Sequence, residues 1–431
     1  MKKFAKVFAC ACAAAVVAAG GFSGCGDRST LLARAAEPQR YEYTQQGVEA
    51  RDRVIKASND FAERFTRAVL QGYDGQGNVA LSPASVFTAL AMTVACSDGQ
   101  TKDELISGLG IGEEELSAGF GRYFSELNIE YTGGKVAAAN SIWLGEGYEF
   151  SLDSVQKLAN EYFCSSYAAD FKNDNERANL AVREYVRDNT EGLIDTPFNL
   201  SYDTACALVN TLLLKDNWNF YGDELPLTSQ QYAFTAADGR ELLLNLIEGN
   251  YNPGIAVEGE NFTAFYTSTA NSFKIHFILP DEGVSVGEAF DAGALNTVID
   301  AGDYNAADEA NKVKNYTRAL FPAFDGSYAG SINDALKDMG ITSLFGEGCN
   351  LTRLMPGGGV CCNSVAHVAK FSVDRRGIEG AAATVADMGP TAADPGEYEK
   401  KYYDFIVKRA FGYAVTSPCG AVLFTGIVNN V

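Results

Sequence analysis

Histidine is nearly absent from this chain: there are two, His276 and His367, in 431 residues. Each lies in an apolar strand pattern, Phe273–Leu279 or Val365–Val373. An imidazole in such a place is far more often a hydrogen-bonded core group than a catalyst. There is no G-x-S-x-G, no H-E-x-x-H and no phosphate loop, so the common hydrolase and nucleotide sites lack their residues. Gly108, Gly110 and Gly112 imitate a phosphate loop, but no strand precedes them. They read as a turn before a helix that starts at Glu113-Glu114-Glu115. Carboxylates are plentiful, yet nothing singles out a catalytic pair. The ten cysteines include no C-x-x-C, so neither a metal nor a cofactor is expected. Basic charge is scarce. A net charge of −21 disfavours nucleic acid and anionic membrane as partners.

A membrane-spanning run is missing too. The apolar stretch Val7–Ala19 is too short to cross a bilayer. With Lys2, Lys3 and Lys6 ahead of it, it reads as an export leader. Phe22-Ser23-Gly24-Cys25 resembles the end of a bacterial lipoprotein signal, in which Cys25 would carry the lipid, although Phe22 replaces the usual aliphatic residue. A cut after Ala33-Arg34-Ala35 would instead give an ordinary secreted protein. The expected layout is a signal over 1–25, a polar tether over 26–54 and one domain over 55–431. Membrane contact is then expected only through the anchor. Seven cysteines remain in the body, without a framework spacing. Cys349 could bridge to Cys361 or Cys362, worth about 3 kcal/mol if formed.

Helical spacing begins at Ser58 with Phe61, Phe65, Val69 and Leu70. Asn78–Leu81 is a short strand, and Ser82 caps a helix with Pro83 in its first turn. That helix is apolar nearly all round and so should be buried. Ala207–Leu214 is a continuous apolar run, the pattern of a strand covered on both faces. Strand patterns return at Val136–Leu144, Phe273–Leu279, Val365–Val373 and from Phe405 to Val428. Strands and helices mix without a regular βαβ period, so the class is α+β.

One stretch has almost no bulky core residues. From Gly377 to Glu399 bulky residues give way to Gly, Ala, Thr and Pro, and no Lys or Arg occurs. A segment of this length without core residues is commonly functional. Its parity is informative. Ile378, Gly380, Ala382, Thr384, Ala386 and Met388 fall on one face of an extended strand. Glu379, Ala381, Ala383, Val385 and Asp387 fall on the other, which takes both charges. The first face can be buried without burying a lone carboxylate, which would cost several kcal/mol. The stretch reads as an exposed loop able to become a strand.

The body resembles the serpin family over about residues 55–431. The resemblance rests on Asn78–Met92, Gly99-Gln100-Thr101, Ala139–Trp143, Thr190–Ile194, Leu208–Thr211, Lys215-Asp216-Asn217-Trp218, Leu320–Phe324, Leu336–Ile341, Val365–Phe371 and Arg409 through Gly426, all in family order. It implies three β-sheets, eight or nine helices and an exposed reactive-centre loop, here about 375–401. It implies a monomer without catalytic residues that traps a protease: the loop is cut, then inserts into the central sheet. Gly377, Ile378, Glu379, Gly380, Ala381, Ala382, Ala383 and Thr384 correspond to the hinge. Counting fourteen positions from Gly377 places the reactive bond at Thr391–Ala392, with Met388–Gly389 as a second candidate. Ser82, Ser85, Asn210 and His367 match a polar cluster under the sheet, and Trp218 matches a tryptophan at the top of the opening.

Without a cation in the bait, a trypsin-like enzyme is disfavoured. The expected partner is an elastase- or subtilisin-like serine protease with a small apolar pocket, or a cysteine protease. Inserting Ile378 to Gly389 would span about 40 Å. It would add about ten ladder hydrogen bonds at about 1 kcal/mol each, which rivals the stability of a whole domain. Two departures stand out. Arg375 occupies a position where the family commonly has an acid, and Ile378 one where it has a small hydroxyl residue. A bulky first insert favours the alternative, a non-inhibitory serpin that binds or is merely cleaved.

Overall fold

The computed structural model describes residues 29–73, 77–301, 304, 307–308, 312–346, 348–362, 365–378 and 398–431. A central sheet contains β1 (Thr30–Ala33), β5 (Cys164–Ala169), β4 (Gly134–Gly145), β6 (Cys206–Asn217), β17 (Gly377–Ile378), β16 (Ala366–Val373) and β15 (Phe324–Ser331), in that order, and β3 (Asn128–Tyr131) pairs with β4. A second sheet runs β10 (Val257–Glu258), β11 (Phe262–Ser268), β12 (Lys274–Pro280), β19 (Phe411–Thr416), β20 (Val422–Val428) and β2 (Val79–Leu81). The third joins β13 (Ala307–Asp308), β14 (Val313–Phe321), β18 (Glu399–Ile406) and β9 (Ile247–Pro253). β7 (Tyr232–Thr235) and β8 (Glu241–Leu244) form a hairpin. The α+β class with three principal sheets is therefore as expected.

Nine α-helices occur among the described residues. α1 (Gln45–Gln71), α2 (Pro83–Cys96), α3 (Gly99–Leu109), α4 (Glu113–Glu126) and α5 (Leu152–Glu161) precede α6 (Asn175–Asn189). α7 (Val286–Asp291), α8 (Ala294–Asp300) and α9 (Asn333–Asp338) follow. Every residue of α2 is buried, as its all-round apolar sequence requires. Phe61 of α1 meets Phe87 of α2 edge-on with centroids 5.9 Å apart, and Phe87 meets Tyr123 of α4 at 5.8 Å. Aromatic edges thus lock three helices into one core.

Four expectations change. The segment read as a tether is folded from Thr30 onward: β1 pairs antiparallel with β5. Thr44 then caps α1 by accepting from the Gly47 N–H at 3.1 Å, so this helix starts well before Ser58. Its first turns look polar in sequence because only Ala50 and Val54 face the core there. Ser82 occupies the cap position of α2, but its hydroxyl donates to the Leu423 carbonyl at 3.0 Å instead of capping. Cys349 is a free thiol, so the bridge considered for it is not formed.

Candidate strand-insertion site

The apolar run that predicts a buried strand continues as β6 up to Asn217, and Trp218 follows immediately. β16 rises beside it, and the chain turns back at Asp374-Arg375-Arg376. Asp374 makes that turn by accepting from the N–H groups of Arg376 at 2.7 Å and Gly377 at 3.1 Å. The returning chain enters the sheet as β17. Gly377 pairs with Asn217 and Ile378 with Asp216, while Ile378 also faces Val373. The first two residues of the hinge therefore already lie between β6 and β16. Below them, no ladder joins β6 directly to β16 among the described residues.

Packing explains why these two residue types sit here. A Cβ on Gly377 would lie 2.0 Å from the Asp216 carbonyl oxygen and 2.9 Å from the Asn217 Cα. Close approach of backbone, rather than an unusual torsion, demands glycine at this point. Ile378 is completely buried, which stabilises the seated hinge by about 1.5–3 kcal/mol. The alternation read from the sequence over Ile378–Met388 lies beyond Ile378 outside the described residues.

Trp218 packs beside the turn that leads into β17. It is 2% exposed and packs on Phe321 with centroids 5.5 Å apart. Its indole N–H donates to the Asp374 carbonyl at 2.7 Å, and its backbone N–H donates to the Arg376 carbonyl at 3.1 Å. Arg375, the residue out of keeping with the family pattern, finds a local anion: its guanidinium lies 2.8 Å from Glu224. Its Nε also donates to the Leu225 carbonyl at 2.9 Å. Arg376 reaches the same carboxylate at 3.2 Å. Both pairs are substantially exposed, so they orient the turn more than they stabilise it.

Asp216, which sequence reasoning did not single out, is a buried carboxylate opposite Ile378. It accepts from the Thr269 hydroxyl, from the Asn271 side-chain amide at 2.7 Å and N–H at 3.2 Å, and from the Asn217 N–H at 3.0 Å. Burial raises its pKa above the ordinary aspartate value, against these hydrogen bonds. The clue in the sequence is a lone acid closing an apolar run. Glu224 carries no such clue, because it belongs to the site only through the fold.

The polar cluster forms in part. The His367 Nε2 accepts from the Ser82 N–H at 3.1 Å, which leaves the proton on Nδ1. Burial lowers the pKa of this imidazole to about 4, so it is neutral at pH 7. Ser85 is buried on α2, one residue turn from Ser82. Asn210 does not share their hydrogen bonds. Its amide donates to Asn140, its cross-strand partner, and its buried Oδ1 has no hydrogen-bond partner among the described residues. The second histidine is a core group: Nδ1 lies 2.7 Å from the Tyr304 hydroxyl and Nε2 3.1 Å from that of Thr416.

The loop is anchored more tightly at both ends than the 375–401 range implies. Residues 375–378 form a turn and a strand, and β18 begins at Glu399, inside that range. Glu379, Gly380, Ala381, Ala382, Ala383, Thr384, Thr391, Ala392 and Cys25 lie outside the described residues.

The family model for Serpin (serine protease inhibitor) matches residues 56–431. Serpin-ZX of Arabidopsis thaliana is 25% identical over 392 residues, covering 87% of this chain and 97% of its own. Alpha-1-antitrypsin of Meriones unguiculatus is 25% identical over 350 residues, covering 79% and 83%. The crystal structure of a thermophilic serpin, Tengpin, in the native state superposes with a TM-score of 0.74 at 23% identity, covering 94% of this chain and all of that one.

Proposed function

The chain belongs to the serpin family, and from this premise we propose that it traps extracellular serine proteases as a suicide substrate. The observation that carries the proposal is the seat of Gly377 and Ile378 between β6 and β16. A hinge already paired at its top needs no nucleation step to continue downward as a strand. The protease serine attacks the Thr391 carbonyl, the Ala392 amine leaves, and an acyl-enzyme ester remains. The severed loop then fills the gap between β6 and β16, carrying the protease with it before water can cleave the ester. Thr391 after Pro390 suits an elastase- or subtilisin-like pocket. No group of this chain takes part in the bond chemistry; its contribution is the free energy released on insertion.

A non-inhibitory role is the second reading, and the burial of Ile378 favours it. A large apolar side chain held in the sheet makes the loop end shorter and its release costlier. Incubation with active pancreatic elastase separates the two: an inhibitor gives a covalent, SDS-resistant complex, whereas cleavage without complex overturns the trap.

Export with lipidation at Cys25 completes the proposal. The position of β1 supports a cut before Cys25, because a cut after Ala35 would remove Thr30–Ala33 from the edge of the central sheet. Palmitate labelling that is lost in Cys25→Ala tests the anchor.

A further inference from the structure

The seated hinge and the amino-terminal strand lie at opposite ends of the central sheet. Ile378 pairs with Asp216, near the end of β6. β4 runs antiparallel to β6, and β5 runs parallel to β4. Gly145 and Ala169 therefore end their strands beside Cys206, the first residue of β6. β1 runs against β5 and sets Thr30 opposite Ala168, at this same far end. The ten residue steps from Cys206 to Asp216 span roughly 35 Å. Cys25 is five residues before Thr30, so a lipid on it lies within about 18 Å of the far end.

Large side chains stand exposed at this end. Tyr202 and Leu152 are each 69% exposed, and Tyr148 and Leu31 are exposed as well. The Tyr148 hydroxyl donates to the Asp203 carbonyl at 3.4 Å, next to Tyr202. Leu152 opens α5 four residues after Tyr148, and Leu31 follows Thr30 on β1. A tyrosine has an apolar ring and a polar tip, which suits the boundary between lipid and water. Glu146, Glu149, Asp153 and Asp203 are exposed among these side chains. They disfavour an anionic surface, so the lipid that fits is zwitterionic and the anchor supplies the attraction.

We propose that this end of the central sheet is the face laid against a lipid surface, with Tyr148, Leu152 and Tyr202 at the headgroup level and the reactive loop turned away from the membrane. The inference rests on the reading of Cys25 as the anchor and adds which pole of the body meets lipid. The chain length selects the occupant. A leash of about 18 Å is shorter than the roughly 35 Å between the two ends, so the hinge end cannot be turned to the lipid. The loop is then presented outward, to proteases in solution.

The test uses the full mature chain on phosphatidylcholine vesicles that carry an acceptor dye among their lipids. A donor dye is placed at Ser201 or at Lys401, both exposed. Ser201 marks the far end, beside Tyr202. Lys401 marks the hinge end, because it lies on β18, in the sheet whose Asn250 donates to the Trp218 carbonyl at 3.3 Å. Energy transfer to the lipid should be several-fold stronger from Ser201 than from Lys401. Leu152→Glu/Tyr202→Glu should lower the transfer from Ser201 without lowering the melting temperature. The proposal is overturned if the two positions transfer equally, if Lys401 transfers more, or if the double variant leaves the Ser201 signal unchanged. A second form supplies the independent arm: a polyhistidine tag replaces residues 1–25 and binds vesicles that carry a nickel-chelating lipid. If the tagged form shows the difference while the natural chain takes up no palmitate, the anchor is removed and the pole is kept as a lipid contact. A lipidated chain without the difference keeps the anchor and removes the pole.

Discussion

The indole N–H of Trp218 donates to the carbonyl oxygen of Asp374 at 2.7 Å. Trp218 directly follows β6, and Asp374 opens the turn that leads into β17. The bond therefore ties the end of β6 to that turn. Trp218→Phe keeps the packing on Phe321 but leaves that carbonyl without its indole donor, which should cost about 1–3 kcal/mol. Urea unfolding should show this loss, together with faster cleavage near the turn; an unchanged midpoint would mean that the tie is incidental.

Gly377→Ala should unseat the hinge. Its Cβ would meet only backbone, at 2.0 Å from the Asp216 oxygen, so no side-chain adjustment can relieve the clash. The expected result is loss of the Ile378 burial, about 1.5–3 kcal/mol, with Ile378 becoming reachable by proteases. Limited proteolysis followed by mass spectrometry locates the new cut. Protection of the 377–378 bond in the variant would contradict the seating.

Ile378→Thr brings this position toward the family pattern and removes part of a fully buried apolar side chain. Native stability should fall by about 1–2 kcal/mol. The number of chains consumed per protease inactivated should rise, because the hinge loses part of the seat from which insertion continues. Titration of residual protease activity checks this. Unchanged or lower consumption would show that the isoleucine does not aid trapping.

Stability should decline in mild acid. Burial holds His367 at a pKa of about 4 and His276 at about 3, while an unfolded histidine titrates near 6.5. Their contribution is complete above about pH 6.5 and is lost as the pH falls toward the folded values, because the unfolded chain then binds more protons. At pH 5 the loss is about 2 kcal/mol per histidine. Asp216 acts in the opposite sense, since its raised pKa favours the native state as the pH falls through the carboxylate range. Urea midpoints at pH 7 and pH 5 should differ in favour of pH 7. Equal midpoints would mean that the imidazoles are solvated.

Long, strongly patterned elements were legible in the sequence. α2 and β6 are apolar on all sides, and the fold buries them. What escaped was set by tertiary contact. β1 is four residues long, and only its pairing with β5 distinguishes it from a linker. The Ser82 hydroxyl has a helix cap within reach, yet the Leu423 carbonyl takes it. Glu224 answers Arg375 from a separate loop, so the apparent misfit at Arg375 is resolved only in three dimensions. Asn210, matched to the polar cluster by its motif, bonds across to Asn140 instead.

The central claim is that the severed loop enters the central sheet between β6 and β16. The direct measurement is the melting temperature of the full chain before and after a single cut at Thr391–Ala392, with the cut verified by mass and both fragments retained. Insertion would add about ten ladder hydrogen bonds, at about 1 kcal/mol each. The account therefore expects the cleaved protein to melt about 10 °C or more higher, the gain that a free energy of this size gives a domain of this length. A cleaved chain that melts at or below the temperature of the intact one would contradict it.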